Sequence, residues 1–128
     1  MVFESDNPRW PSLFMDASKD FGGTNSGMAP KAMMLSSLAG CTGIDVVSVL
    51  NKMKVTVDEF KMVVEGELTK DHPHYYHTVT VDYHFYGTNL SENKIKKAVD
   101  LSVEKYCGVM AMFRKFANVK IAIHYHNN

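Results

Sequence analysis

At 128 residues, with 45% hydrophobic and 22% charged residues, the chain has the size and composition of one globular domain with its own core. Fourteen basic residues balance fourteen acidic ones, so formal net charge is zero. That balance lacks the footprint of a nucleic-acid or anionic-membrane binder, and neither partner is expected.

No uninterrupted run of roughly 18 apolar residues occurs, so no membrane span is predicted. The opening MVFESDNPRW lacks the basic-then-apolar pattern of a signal peptide, which points to the cytoplasm. Thiols stay reduced there, and a standing disulfide is not expected.

In chain order, VFE and LFMD within residues 1–16 read as two arms of a hairpin, with turn signals at SDNP and Pro11. SKDFGGTNSGMAP is a loop, rich in glycine, serine and asparagine. Pro30 suits the first turn of a helix, where a missing N–H costs nothing. That helix is predicted from about Pro30 to Met53. Leu35, Leu38, Ala39, Thr42, Val46, Val49, Leu50 and Met53 share one stripe at helical period. Met33, Ile44 and Val47 lie off that stripe. Such a helix is central to its own domain or packs one face on a partner subunit.

Alternation predicts strands from Glu59 to Thr69 and from His77 to Gly87, paired as an antiparallel hairpin. On the second strand, Val79, Val81, Tyr83 and Phe85 share one face and Thr78, Thr80, Asp82 and His84 the other. A second helix runs from about Ser91, as N-cap, to Tyr106. Helical pattern resumes after Cys107, and a last strand spans Val119–His126. The order of elements argues α+β rather than alternating βαβ.

Two cysteines, Cys41 and Cys107, stand far apart in sequence, and no CxxC occurs. They are inert buried thiols, or they meet in space and do redox work. Cys41 lies off the apolar stripe, between Gly40 and Gly43, which thin the helix and leave room beside the thiol. Cys107 falls at the start of a helix, where exposed N–H groups favour a thiolate, with Lys105 adding positive charge. Asp45, one turn after Cys41, opposes ionisation.

DASKDFGG, GMAPKAMMLSSLAGCTGIDVVSVLNKM and AVDLSVEKYCGVMAMF, between about Phe14 and Phe116, resemble the OsmC/Ohr superfamily, in particular its small OsmC-like branch. The resemblance implies a single OsmC-like domain over residues 1–128. It implies an α+β fold with antiparallel and mixed sheets around two long central helices, in an intertwined homodimer. It also implies a thiol-dependent peroxidase acting on organic or hydrogen peroxide. In that chemistry Cys41 is the attacking thiol and Cys107 resolves its sulfenic acid as a disulfide. A hydroperoxide substrate and an external thiol reductant are the implied partners, and no cofactor is called for.

Three positions depart from the active peroxidases. Lys31 stands where they carry a glutamate. The only early arginine, Arg9, falls in a turn, whereas they supply one from an N-terminal strand. Gly108 follows the second cysteine where proline is frequent. Loss of the arginine–glutamate pair implies slow turnover.

Six histidines raise a metal reading. His72, His74 and His77 cluster in a turn, and His124 and His126 share a strand face. No acidic or thiol ligand accompanies them at fixed spacing, so no metal site is assigned. A non-catalytic alternative remains, in which the fold binds a small apolar ligand or a protein. Nine methionines suit such adaptable surfaces.

Overall fold

The computed structural model describes residues 1–128 throughout. The chain divides into two compact units, Met1–Met34 and Leu35–Asn128.

In the first unit, β1 (Phe3–Asn7) and β2 (Trp10–Met15) pair antiparallel, with Phe3 opposite Met15. Arg9 lies in their turn, its guanidinium 5.0 Å from the centre of the Trp10 ring. A short 3₁₀ turn spans Lys19–Phe21 and ends at Gly22, whose φ of 88° is a left-handed conformation suited to glycine. Asp16 organises the loop that follows. Its carboxylate accepts hydrogen bonds from the N–H groups of Ala17, Thr24 and Ser26 and from the Thr24 hydroxyl. Those donors, the Thr24 and Ser26 backbone N–H first, hold Asp16 down to about 2.

Helix α1 (Pro30–Lys52) begins in the first unit and continues into the second. Its length and mean hydropathy of 1.6 would suffice to cross a membrane, which corrects the reading from uninterrupted apolar runs alone. Scattered Ser, Thr, Gly and Asp residues break the run without lowering the average enough. In the fold it is a core helix: Leu38, Thr42, Val46 and Leu50 form its buried stripe. The predicted stripe therefore holds, one residue every turn.

The second unit carries a three-stranded mixed sheet in the order β3-β4-β5. β3 (Glu59–Leu68) and β4 (Tyr76–Gly87) form the predicted antiparallel hairpin. Residues of β4 alternate as expected: Val79, Val81, Tyr83 and Phe85 are fully buried, while Thr78, Thr80, Asp82 and His84 are half-buried on the opposite face. Gly66 in β3 is needed for a close approach, because a Cβ there would collide with the Tyr76 ring.

The parallel pairing of β5 (Asn118–Asn127) with β4 departs from the simple reading of hairpin strands. Helices α2 (Glu92–Leu101) and α3 (Gly108–Phe116) supply the crossover that parallel strands require. Between them Ser102–Tyr106 forms a π-helical turn, closed by Cys107 N–H donating to the Ser102 carbonyl at 2.9 Å. Ser91 precedes α2 as predicted, but its side chain makes no capping bond. The second helical segment is thus two α-helices joined by a π turn. Ile95, Ala98, Val99, Met110 and Phe113 join the α1 stripe and the inner face of β4 in one core.

Candidate active site

Helix α1 presents Cys41 half-buried at the edge of the core. The π turn delivers Cys107 to the N-cap of α3, where it is buried. Its Sγ accepts the Met110 N–H at 3.3 Å. Both sulfurs are free thiols, and they meet a carboxylate oxygen of Asp45 with all three donor atoms within 4.8 Å of one another. The two cysteines that sequence left as inert or interacting are therefore neighbours.

The helix-end argument for a Cys107 thiolate does not hold. Burial, then the Cys41 thiol beside it, push the Cys107 thiol up to about 11, and Asp45 adds repulsion. One N–H from Met110 acts the other way without winning. Cys107 therefore stays a protonated thiol at neutral pH.

The role given to the glycines also changes. Gly40 and Gly43, three apart, share a helix face, whereas Cys41 is turned from them by about 100° and 200°. They line a groove of about 580 Å³ with Ile44, Val47, Phe60 and Met62, and Cys41 is not part of its wall. The room they make is on the side of α1 away from the thiol.

Sequence reasoning missed the polar chain under the thiols. Thr42 Oγ1 lies 2.6 Å from Tyr83 Oη and 2.7 Å from Ser102 Oγ. Ser102 also lies 3.1 Å from Asp45 Oδ2, as a donor. The three hydroxyls come from α1, β4 and the π turn, and all are fully buried. Their mutual bonds leave no buried polar atom without a partner. Burial above all pushes the Tyr83 phenol up to about 12, so it remains neutral. A threonine inside an apolar stripe was the available signal, yet its partners stand far away in sequence.

On the outer face of the sheet, His84 pairs with His124 across β4 and β5, and Tyr86 with His126. His84 Nδ1 is 3.0 Å from His126 Nε2, and His124 Nε2 is 2.8 Å from Asp82 Oδ1. The rings of His84 and His124 stack at 4.4 Å. His72 and His74 make a separate ring contact in the β3–β4 turn.

The sequence profile described as OsmC-like protein matches residues 23–122, which include both cysteines. The chain belongs to the OsmC-like family. A curated OsmC-like relative by this measure, protein YhfA of Escherichia coli K12, is 33% identical over 91 residues, covering 71% of this chain and 68% of YhfA. A solved hypothetical protein from Aquifex aeolicus VF5 superposes with a TM-score of 0.78 at 27% identity, covering 100% of this chain and 96% of that one. The organic hydroperoxide resistance protein OsmC of Legionella pneumophila shares the fold with a TM-score of 0.69. Its identity is 17%, over 97% of this chain and 95% of its own. The mixed α+β architecture is thus that of OsmC-like proteins.

Proposed function

We propose that this OsmC-like protein is a thiol-dependent peroxidase that reduces organic hydroperoxides or hydrogen peroxide with Cys41 and Cys107. The observation that carries the reading is the meeting of the two sulfurs, within 4.8 Å, with unequal exposure. An attacking thiol needs access to substrate, and Cys41 is the more open of the two. A resolving thiol needs only to reach the first sulfur, which suits buried Cys107.

In the proposed cycle, the Cys41 thiolate attacks one peroxide oxygen, the O–O bond breaks, and the alcohol leaves after taking up a proton. Cys41 is then a sulfenic acid. Cys107 sulfur attacks Cys41 sulfur, and the hydroxyl departs as water with the Cys107 proton. An external dithiol returns the resulting disulfide to two thiols by exchange. No cofactor enters these steps. With Arg9 in the β1–β2 turn and Lys31 in the first turn of α1, the arginine–glutamate pair of active peroxidases is missing, and turnover is slow. A reducing compartment, the cytoplasm, is the setting that keeps both thiols available.

The test is a thiol titration before and after one equivalent of cumene hydroperoxide. The expected result is loss of two thiols per chain, restored by dithiothreitol. Thiols that survive the oxidant overturn the reading.

The proposed assembly is a homodimer, with the central helices of two copies packed together. Ile44 is 72% and Val47 44% exposed on α1, beside the glycine-floored groove. The β1–β2 hairpin exposes Phe3 and Trp10, and an isolated two-stranded hairpin is marginal without further packing. The same groove supports a second reading, in which a catalytically weak protein holds a small apolar ligand there. Unchanged thiols together with binding of an apolar probe favour that alternative.

A further inference from the structure

Two thiols and a carboxylate repel one another as anions, yet the fold drives them together. The ion pairs of the second unit use Glu67, Asp82, Asp100 and Glu104. Asp45 is held instead by a hydroxyl, that of Ser102. A cluster of this kind is poor at stabilising a thiolate and well made for a cation. We infer that Cys41, Asp45 and Cys107 form a binding site for a thiophilic divalent cation, of which Zn²⁺ is the representative.

The donor set fits. Sulfur and carboxylate oxygen are both zinc ligands, at about 2.3 Å and about 2.0–2.2 Å. Tetrahedral geometry at those lengths sets sulfur atoms about 3.8 Å apart. The donors, already within 4.8 Å, need to close by about 1 Å or less. Three protein ligands leave a fourth position for water, and half-buried Cys41 and Asp45 give a path to solvent.

The surroundings fit as well. Ser102 orients the Asp45 carboxylate, and is itself fixed by Thr42 and Tyr83. Met110 N–H orients the Cys107 sulfur. Metal sites need such outer contacts, because they fix each ligand before the ion arrives. The supporting residues lie on α1, β4, the π turn and α3, so the whole core holds the site. The histidine face of the sheet lacks this convergence: His124 is engaged by Asp82, while His84 and His126 bond to each other.

The inference needs only reduced side chains. It stands apart from peroxide chemistry, and its failure leaves the two-thiol titration above unaffected.

The test uses full-length reduced protein, stripped of metal and kept under anaerobic conditions. Zn²⁺ is titrated against a competing chromophoric chelator. One equivalent should bind per chain. Cys41→Ser and Cys107→Ser should each weaken binding by more than about tenfold, and Ser102→Ala by about tenfold with both thiols intact. The double change His84→Ala with His126→Ala should leave affinity unchanged. A second measurement does not depend on variants that might misfold: Cd²⁺ added to the wild type should give the ultraviolet charge-transfer band of cadmium thiolate. Absence of that band, no stoichiometric Zn²⁺ binding at micromolar concentrations, or binding lost in the histidine variant and kept in the cysteine variants overturns the site.

Discussion

Thr42 and Tyr83 share a hydrogen bond of 2.6 Å at full burial, joining the centre of α1 to the middle strand of the sheet. Because Thr42 also bonds Ser102 at 2.7 Å, this one hydroxyl ties three elements together.

Unequal losses should follow from cutting that tie in two ways. Tyr83→Phe removes one partner of Thr42 and leaves Ser102 in place, so the expected loss is about 1 kcal/mol. Thr42→Val deprives both Tyr83 and Ser102 of their partner inside the core. Its expected cost is about 2–3 kcal/mol, from two buried hydroxyls left short of bonds. Urea unfolding of the two variants measures the order. Equal losses would mean that the hydroxyls find new partners.

The two cysteines should separate by role. Cys41→Ser is expected to abolish peroxide consumption. Cys107→Ser should permit one turnover and leave a sulfenic acid on Cys41, trapped by dimedone and located by mass spectrometry. Label on Cys107 in the wild type, or full activity in Cys41→Ser, would exchange the roles.

Acid should weaken the fold through His84. Its imidazole is held below the usual value near 6.5, first by desolvation and then by His124 and His126. In the unfolded chain His84 takes up a proton at a higher pH than in the fold. Its contribution to stability is therefore present above about pH 6.5 and lost as pH falls through the lower folded value. The direct His84–His126 bond strengthens the effect, because it needs a lone pair on one ring. Unfolding midpoints between about pH 7.5 and 5 should fall less steeply in His84→Gln than in the wild type. Parallel curves would place the acid loss elsewhere.

A charge on the groove should divide the dimer. Ile44 is 72% exposed within one chain, so Ile44→Glu is expected to change the stability of the chain by less than about 0.5 kcal/mol. Buried against a second copy, the same carboxylate would stand uncompensated and split the pair. Sedimentation velocity at micromolar concentration should show a dimer for wild type and a monomer for Ile44→Glu. A dimer in both moves the interface away from this face.

Local pattern was enough to place most of the fold. Pro30 set the start of α1, and alternation through Val79, Val81, Tyr83 and Phe85 identified both the strand and its inner face. What sequence could not supply were relations between distant segments. His124 and His126 were legible as one strand face, whereas His84 joined them only through the β4–β5 register. Asp45 was legible as a charge one turn from Cys41, but not as one bonded to Ser102. At Cys107 two rules conflicted. The helix N-terminus favours the thiolate, burial disfavours it, and only the packed structure says which is larger. At Gly40 and Gly43 the wheel already held the answer, since a spacing of three puts both on a face that Cys41 does not share.

The π turn at Ser102–Tyr106 has a consequence for how the site tolerates change in length. It holds one residue more than an α-helical turn would use, and each residue turns a helix by about 100°. Deleting one residue from this turn would let α2 and α3 run on as a single regular helix. That helix would be better hydrogen-bonded and would carry the Cys107 side chain away from Cys41. The encounter of the two sulfurs is therefore written in the count of residues between Leu101 and Cys107, as firmly as in the identity of the cysteines themselves. A chain could keep every functional side chain and still lose the pair through a single-codon deletion.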